Sequence, residues 1–304
     1  MPPRPRNTKN TRNTGNVTRG SRNSRPAARG RARRELSQNF IADPAVIARY
    51  ARTVGPGGAR YLDGDGRGLE DEEPGGGLIV EAGAGDGRVT AALAGRARRV
   101  IAYEIDPVLA GRLAERCRDL PNVRCVSGDF LAARPPRGPF HLAGNIPYSV
   151  TSRIVAWALE APGLVSATLV TQLEYARKRT GDYGRWSRLT VRTWPEFSWR
   201  LGARIPRDRF RPVPRVDSAV LRLDRRAVPL LPPAVMDDYV RCVDVGFGGV
   251  GGTLRASLRR AYPAARVDAA FRAAGVPRDA VVAFVHPDRW VALARVLHDH
   301  GPPP

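Results

Sequence analysis

Four consecutive residues, Asn145-Ile146-Pro147-Tyr148, carry the most legible chemistry in this 304-residue chain. An amide side chain, a backbone carbonyl and an aromatic ring fall within one turn. That set suits an amino group on a nucleobase ring, a poor nucleophile because its lone pair is delocalised into the ring. The Asn145 side-chain oxygen and the Ile146 carbonyl can accept its two N–H groups and favour a pyramidal nitrogen whose lone pair points at an electrophilic methyl. Pro147 fixes the turn, and Tyr148 can stack on the base, a contact worth about 1–3 kcal/mol in single-stranded complexes. The alkylated nitrogen is acidic and loses its proton to water, so catalysis is positioning plus electrostatics. Taken alone, the same four residues are an ordinary turn composition. The choice between the two readings depends on residues upstream.

Glu81-x-Gly83-x-Gly85-x-Gly87 follows an apolar run and opens a helical pattern. Its glycines let the backbone approach a ligand and adopt positive φ. The dinucleotide spacing Gly-x-Gly-x-x-Gly is not met, which argues for a cofactor without a pyrophosphate. Glu104 ends the next strand and can accept two hydrogen bonds from a ribose diol. Asp129 ends the third strand and can accept from an adenine amine. Either acid alone is compatible with an ordinary loop; the ordered set defines an adenosine site, and with it Asn145 to Tyr148 becomes a methyl-acceptor site.

The elements that must position these residues alternate. Strands are expected at 78–80, 100–103, 123–126, 140–143 and 167–170, with helices over 88–97, 107–118 and 150–159. This is an α/β pattern with a mostly parallel sheet, whose ligands bind at the carboxyl ends of the strands. Residues 43–52 read as a helix with Asp43 as N-cap and Pro44 at its first position. Residues 55–77 read as a flexible, Gly-rich and acidic insert. Asp63-x-Asp65 fails as a calcium loop because the twelfth position is Pro74. Residues 217–223 alternate like a last strand. Pro229, Pro232 and Pro233 mark a linker, and the rest of the chain loses strand character. The expected organisation is a disordered basic tail over 1–34, a catalytic domain over 35–225 and a helical RNA-binding domain over 226–304.

The net charge is +21 and the tail holds 11 Lys/Arg with no acid, so the remaining residues carry +10 of their own. Charge of this sign implies a polyanionic partner, nucleic acid first. Three cysteines and four histidines show no metal-ligand spacing, and no apolar run is long enough to cross a bilayer. An intracellular soluble protein is the expectation. A base inside a duplex cannot be reached, so the target must be unpaired or flipped. Phe210, among Arg207, Arg209, Arg211 and Arg215, is the expected second aromatic of the clamp, on an exposed face rather than in the core. Arg177, Lys178, Arg179, Arg185 and Arg188 form a second basic stretch with Tyr183 and Trp186. Arg255, Arg259 and Arg260 form a third.

Together these residues resemble the ribosomal RNA adenine N6-methyltransferases, over about 35–300. Leu36-Ser37-Gln38-Asn39-Phe40 looks like the family's opening motif, in which Gln38 and Asn39 would contact S-adenosyl-L-methionine. Glu81, Gly83, Ala84 and Gly85 match its cofactor loop. Glu104 with Ile105 matches the ribose position, Asp129 with Phe130 the adenine position, and Asn145 to Tyr148 the catalytic tetrapeptide, with Asn145 also beside the cofactor. Phe210 matches the aromatic on the other side of the target base. The resemblance implies a Rossmann-like class I methyltransferase sheet with a small C-terminal helical domain, and a cytoplasmic monomer with no metal and no membrane partner. Two branches share these motifs. The Erm branch methylates one adenine in the macrolide-binding region of 23S rRNA and confers macrolide-lincosamide-streptogramin B resistance. The KsgA-type branch dimethylates two adjacent small-subunit adenines. The stretch from Gln172 to Gly184 is similar to Erm proteins of antibiotic-producing actinomycetes. A non-enzymatic relative, a ribosome-assembly or transcription factor on the same fold, would not need the intact tetrapeptide.

Overall fold

The apolar runs between residues 78 and 170 form strands that lie side by side in one sheet. The computed structural model describes residues 39–62, 77–249 and 252–298. It begins with a short strand β1 (Phe40–Ile41) and helix α1 (Pro44–Arg52). There follow β2 (Leu78–Ala82), α2 (Arg88–Ala94), β3 (Arg99–Glu104), α3 (Pro107–Arg116), β4 (Val123–Ser127), β5 (Phe140–Asn145), α4 (Thr151–Glu160) and β6 (Leu164–Gln172). Next come α5 (Leu173–Thr180), α6 (Arg188–Thr193), β7 (Phe197–Ile205), β8 (Phe210–Arg211) and β9 (Ser218–Arg225). Helices α7 (Pro233–Phe247), α8 (Leu254–Leu258), α9 (Ala264–Ala274) and α10 (Pro287–His298) end the described chain.

The sheet order is β4-β3-β2-β5-β6-β9-β7. Its first five strands are parallel, and β9 and β7 are antiparallel to their neighbours. The chain moves outward from β2 to β3 and β4, then returns to place β5 on the other side of β2. The strand order therefore reverses between β2 and β5, where open sheets of this kind bind ligands. Alternate side chains of β2 serve opposite faces: Ile79 joins the core under α1, α2 and α3, and Val80 joins the core under α4. Two helices start alike, the first as expected. Asp43 accepts from the Ala45 and Val46 N–H groups at 2.9 and 3.4 Å, and Asp106 accepts from Val108 and Leu109 at 2.8 and 3.3 Å. Each is followed by a proline that needs no partner for its nitrogen.

Several features differ from expectation, among them helices α5 and α6, which no expected element covers. Strand β7 was not anticipated. Phe197, Trp199 and Leu201 alternate with Ser198 and Arg200, but an irregularity between Leu201 and Arg204 breaks the pairing with β9. Helix α2 ends at Ala94 rather than at 97, with Gly95 as its cap. Residues 55–62, expected within a flexible insert, form an ordered turn (Gly58–Tyr61) with Tyr61 and Leu62 buried. The buried Arg222 guanidinium holds this segment: it donates to the carbonyls of Thr53 and Gly55, to the Thr168 hydroxyl and to Asp224. A buried guanidinium needs such partners, and these loop carbonyls supply them. The basic tail over 1–34, Gln38 and the acidic segment 63–74 lie outside the described residues.

A third core, of Tyr239, Cys242, Leu254, Leu258, Phe271, Trp290 and Leu297, fills the C-terminal helices. It also takes in Val191 of α6, with Trp186 and Trp194 packed against it. No helix among the described residues is long and apolar enough to cross a membrane.

Candidate active site at the carboxyl ends of the parallel strands

Glu81, the Gly83–Gly87 turn, Glu104 and Asn145 converge where β2, β3 and β5 end. Gly83 and Gly85 have φ of +71° and +61°, a region that side chains disfavour. The Phe40 ring lies against Gly85 so closely that a Cβ there would be 2.7 Å from Phe40 Cε1. On the other side, a Cβ at Gly83 would touch Pro147 Cδ at 3.9 Å. The glycine turn therefore lies between β1 and the tetrapeptide.

Glu104 holds the turn. Its Oε2 accepts from the Gly85 N–H and its Oε1 from the Asp106 N–H, both at 2.8 Å. Each carboxylate oxygen can accept one further hydrogen bond, so the pair remains suited to a vicinal diol. Burial pushes the Glu104 carboxyl above its ordinary pKa, and the two amide N–H groups oppose that shift. Glu81 is more deeply placed. Its Oε2 accepts from the Thr90 hydroxyl at 2.6 Å, and burial, reinforced by the charge of Glu104, pushes its pKa up to about 7. Asp129 is exposed and accepts from the Leu131 N–H at 2.9 Å. Ile105 is 46% exposed beyond the end of β3. The Phe130 ring points away from solvent, packed on Tyr103 and Trp157 at centroid distances of 5.7 and 4.4 Å. Ala84 is buried, and its N–H donates to the Tyr103 carbonyl at 2.9 Å.

The tetrapeptide is held at both ends. Asn145 Nδ2 donates to the Asn39 carbonyl at 2.6 Å. That acceptor fixes which end of the amide is which and leaves Asn145 Oδ1 as the acceptor. Ile146 is buried in the core under α4, and the Pro147 carbonyl accepts from the Val150 N–H at 3.1 Å. The Tyr148 hydroxyl meets the Ser218 hydroxyl at 2.8 Å, and burial raises the phenol's pKa. Sequence reasoning missed Tyr50. This buried side chain from α1 accepts from the Gly144 N–H at 2.8 Å and donates to the Thr168 carbonyl at 2.7 Å. It bridges β5 and β6 one residue before Asn145. Its partners are backbone groups, so no sequence pattern marks it.

Phe210 corrects an expectation. It is 1% exposed and sits in the core with Ile41, Val46, Ile47 and Tyr50, not on an arginine-lined surface. The cause is the β1–β8 ribbon, in which Ile41 faces Phe210 and Phe40 faces Arg211. The Ala42 N–H donates to the Arg209 carbonyl at 2.8 Å, and Arg209 pairs with Asp43 at 2.6 Å. Phe210 is thereby tied to the segment that carries Asn39. The third basic stretch is also less free than expected, since Asp268 binds both Arg255 and Arg259, and those arginines hold its carboxyl down at about 2. Among the described residues, no group of three or more His, Cys, Asp or Glu is arranged to hold a metal ion.

The strand order and the site at its reversal define a class I methyltransferase fold. The crystal structure of the 23S rRNA methyltransferase ErmE matches it with a TM-score of 0.76 and 50% identity, over 85% of this chain and 99% of that one. The family model for ribosomal RNA adenine dimethylases matches residues 29–299. An rRNA adenine N-6-methyltransferase of Streptomyces fradiae is 56% identical over 269 residues, 88% of this chain and 79% of the relative. The mycinamicin-resistance protein MyrB of Micromonospora griseorubida is 33% identical over 279 residues, 92% of this chain and 83% of the relative. The chain belongs to the ribosomal RNA adenine dimethylase family and is an rRNA adenine methyltransferase.

Proposed function

We propose that the chain methylates N6 of one adenine in the macrolide-binding region of 23S rRNA, using S-adenosyl-L-methionine, and so confers macrolide-lincosamide-streptogramin B resistance. The observation that carries the chemistry is the Asn145 amide, whose donor end is committed to Asn39 so that its oxygen is left to accept. Fifty per cent identity to the 23S rRNA methyltransferase ErmE supports the choice of RNA.

The residues present fit the cofactor. Gly83 has no side chain and only Pro147 within 4 Å of where one would stand, Glu104 retains two acceptor positions for a ribose, and Asp129 offers an exposed carboxylate for an amine. When bound, S-adenosyl-L-methionine supplies a methyl group made electrophilic by its sulfonium. Asn145 Oδ1 and the Ile146 carbonyl accept the two N–H groups of the target amine and orient its lone pair. The Tyr148 ring supports the base, its hydroxyl anchored on Ser218. The proton released from the methylated nitrogen passes to water. We further read residues 226–304 and the 1–34 tail as RNA-binding parts of a cytoplasmic monomer.

Radiolabelled methyl transfer to naked 23S and 16S rRNA, with Asn145→Ala as control, tests this. Label on an adenine of 23S rRNA, lost in Asn145→Ala, is expected. Label confined to 16S rRNA within small subunits would refute the target, and undiminished label with Asn145→Ala would refute the mechanism.

A further inference from the structure

The basic stretch that follows α5 and the turn Val282–Phe284 before α10 meet at the surface. The Trp186 N–H donates to the Ala283 carbonyl at 2.7 Å, and the Trp186 ring meets His286 edge-on at 4.8 Å. Gly181 permits this approach: a Cβ there would be 2.5 Å from the Trp186 ring. Three arginine–aromatic pairs lie here, Arg179 over Tyr175 at 4.9 Å among them, and the other two differ in kind. Arg177 lies 4.2 Å from the Tyr183 ring centre, but its charge is met by Asp182, and the Tyr183 hydroxyl donates to Glu174. That pair is closed by its own acids. Arg185 lies 5.1 Å from the Phe284 ring centre, and no carboxylate pairs with it among the described residues. Phe284 is 53% exposed, and Val281 just before it is 49% exposed.

An exposed phenylalanine beside an unneutralised guanidinium combines a π-face with a phosphate contact. Those are the two components of sequence-tolerant single-strand binding. We propose that Arg185 and Phe284 form a second base-stacking site, which holds an unpaired nucleotide of the RNA outside the cleft that takes the target adenine. The proposal rests on the rRNA reading above. The chain's net charge of +21 favours a polyanion over a protein or apolar partner for this patch. Its place in the fold also suits the same RNA. Gln172, at the start of α5, pairs with Ser218, which binds Tyr148. The eight residues of α5 lead away from that point by about 12 Å of helix. A strand whose target base sits beside Tyr148 can therefore place a flanking nucleotide at the end of α5.

The test is binding of the full chain to a naked 23S rRNA transcript across a salt series, with methyl transfer measured in parallel. Phe284→Ala should weaken binding about tenfold or more, with an unchanged slope of log affinity against log salt. Arg185→Ala should lower that slope by about one. Phe284→Trp should restore the affinity, because a larger π-face stacks at least as well. At sub-saturating RNA, methyl transfer should fall in step with the affinity in Phe284→Ala and Arg185→Ala, and Phe284→Trp should recover both together. Unchanged affinity in Phe284→Ala, while the unmodified chain binds and methylates, would overturn the stacking site. So would a loss that Phe284→Trp fails to restore. Failure of the unmodified chain to bind or methylate the transcript would instead overturn the rRNA reading.

Discussion

Tyr50→Phe removes one oxygen and leaves the ring in its place among Ile41, Ile47, Val220 and Phe210. What is lost is the bridge from the Gly144 N–H to the Thr168 carbonyl, at 2.8 and 2.7 Å. Each group is buried, and leaving either without a partner costs about 1–3 kcal/mol. The two belong to neighbouring parallel strands whose register sets Gly144 beside Leu169, so they can partly close on each other. The expected net loss is therefore about 2 kcal/mol, near the low end of the summed range. In a protein of this size that lowers the melting temperature by about 4–8 °C. The closing movement shifts Gly144 and with it Asn145. A displacement on the order of 1 Å costs roughly 100-fold in rate. The turnover number should fall about 10- to 100-fold, while the KM for the cofactor changes little. Thermal unfolding and single-turnover methyl transfer on the same preparation measure both effects. Normal turnover despite lowered stability would show that the hydroxyl only supports the fold. Stability within about 0.5 kcal/mol of the unmodified chain would refute the bridge itself.

Three further predictions follow from the site and its supports. The Glu81 carboxyl is raised from 4.5 to about 7 by burial, so its contribution is complete at low pH and is lost as pH rises through that interval, roughly 3 kcal/mol in all. Glu81→Gln should remove this loss from the stability–pH curve measured by urea unfolding, leaving a loss in the same direction from Glu104 and an opposing gain from His141, whose burial holds its pKa down at about 4 so that stability rises as pH climbs from there. Gly85→Ala places a Cβ 2.7 Å from the Phe40 ring at a φ of +61°, and should cost roughly 1–3 kcal/mol and raise the KM for the cofactor more than it lowers turnover. Arg222→Met should destabilise the fold by about 3 kcal/mol or more in chemical denaturation, because Asp224 and the Thr53 and Gly55 carbonyls lose a buried cationic donor.

The elements around the expected cofactor loop were legible because each of their parts is local. A glycine turn after an apolar run, an acid at a strand end and an Asp-Pro helix start are all written within a few residues. The parallel sheet was legible from the alternation of apolar strand runs with helical segments. What escaped was tertiary. Tyr50 acts on backbone groups 94 and 118 residues away, and Asn145 is oriented by a carbonyl 106 residues earlier. Phe210 reads as a surface aromatic from its arginine neighbours, yet pairing of β8 with β1 turns it inward. The sign of the charge on the third basic stretch was legible, but its neutralisation by Asp268 depends on how α8 packs on α9.

The β1–β8 ribbon has only two facing pairs, Phe40 with Arg211 and Ile41 with Phe210. So short a ladder supplies far fewer backbone hydrogen bonds than the seven-stranded sheet, and Ile41 and Phe210 anchor it in the core. Its Phe40 supplies the ring that rests on Gly85, and the residue just before it, Asn39, supplies the carbonyl that sets the Asn145 amide. Methyl-transfer activity is therefore expected to decline on warming before the sheet unfolds, which an activity–temperature profile set beside the melting curve checks.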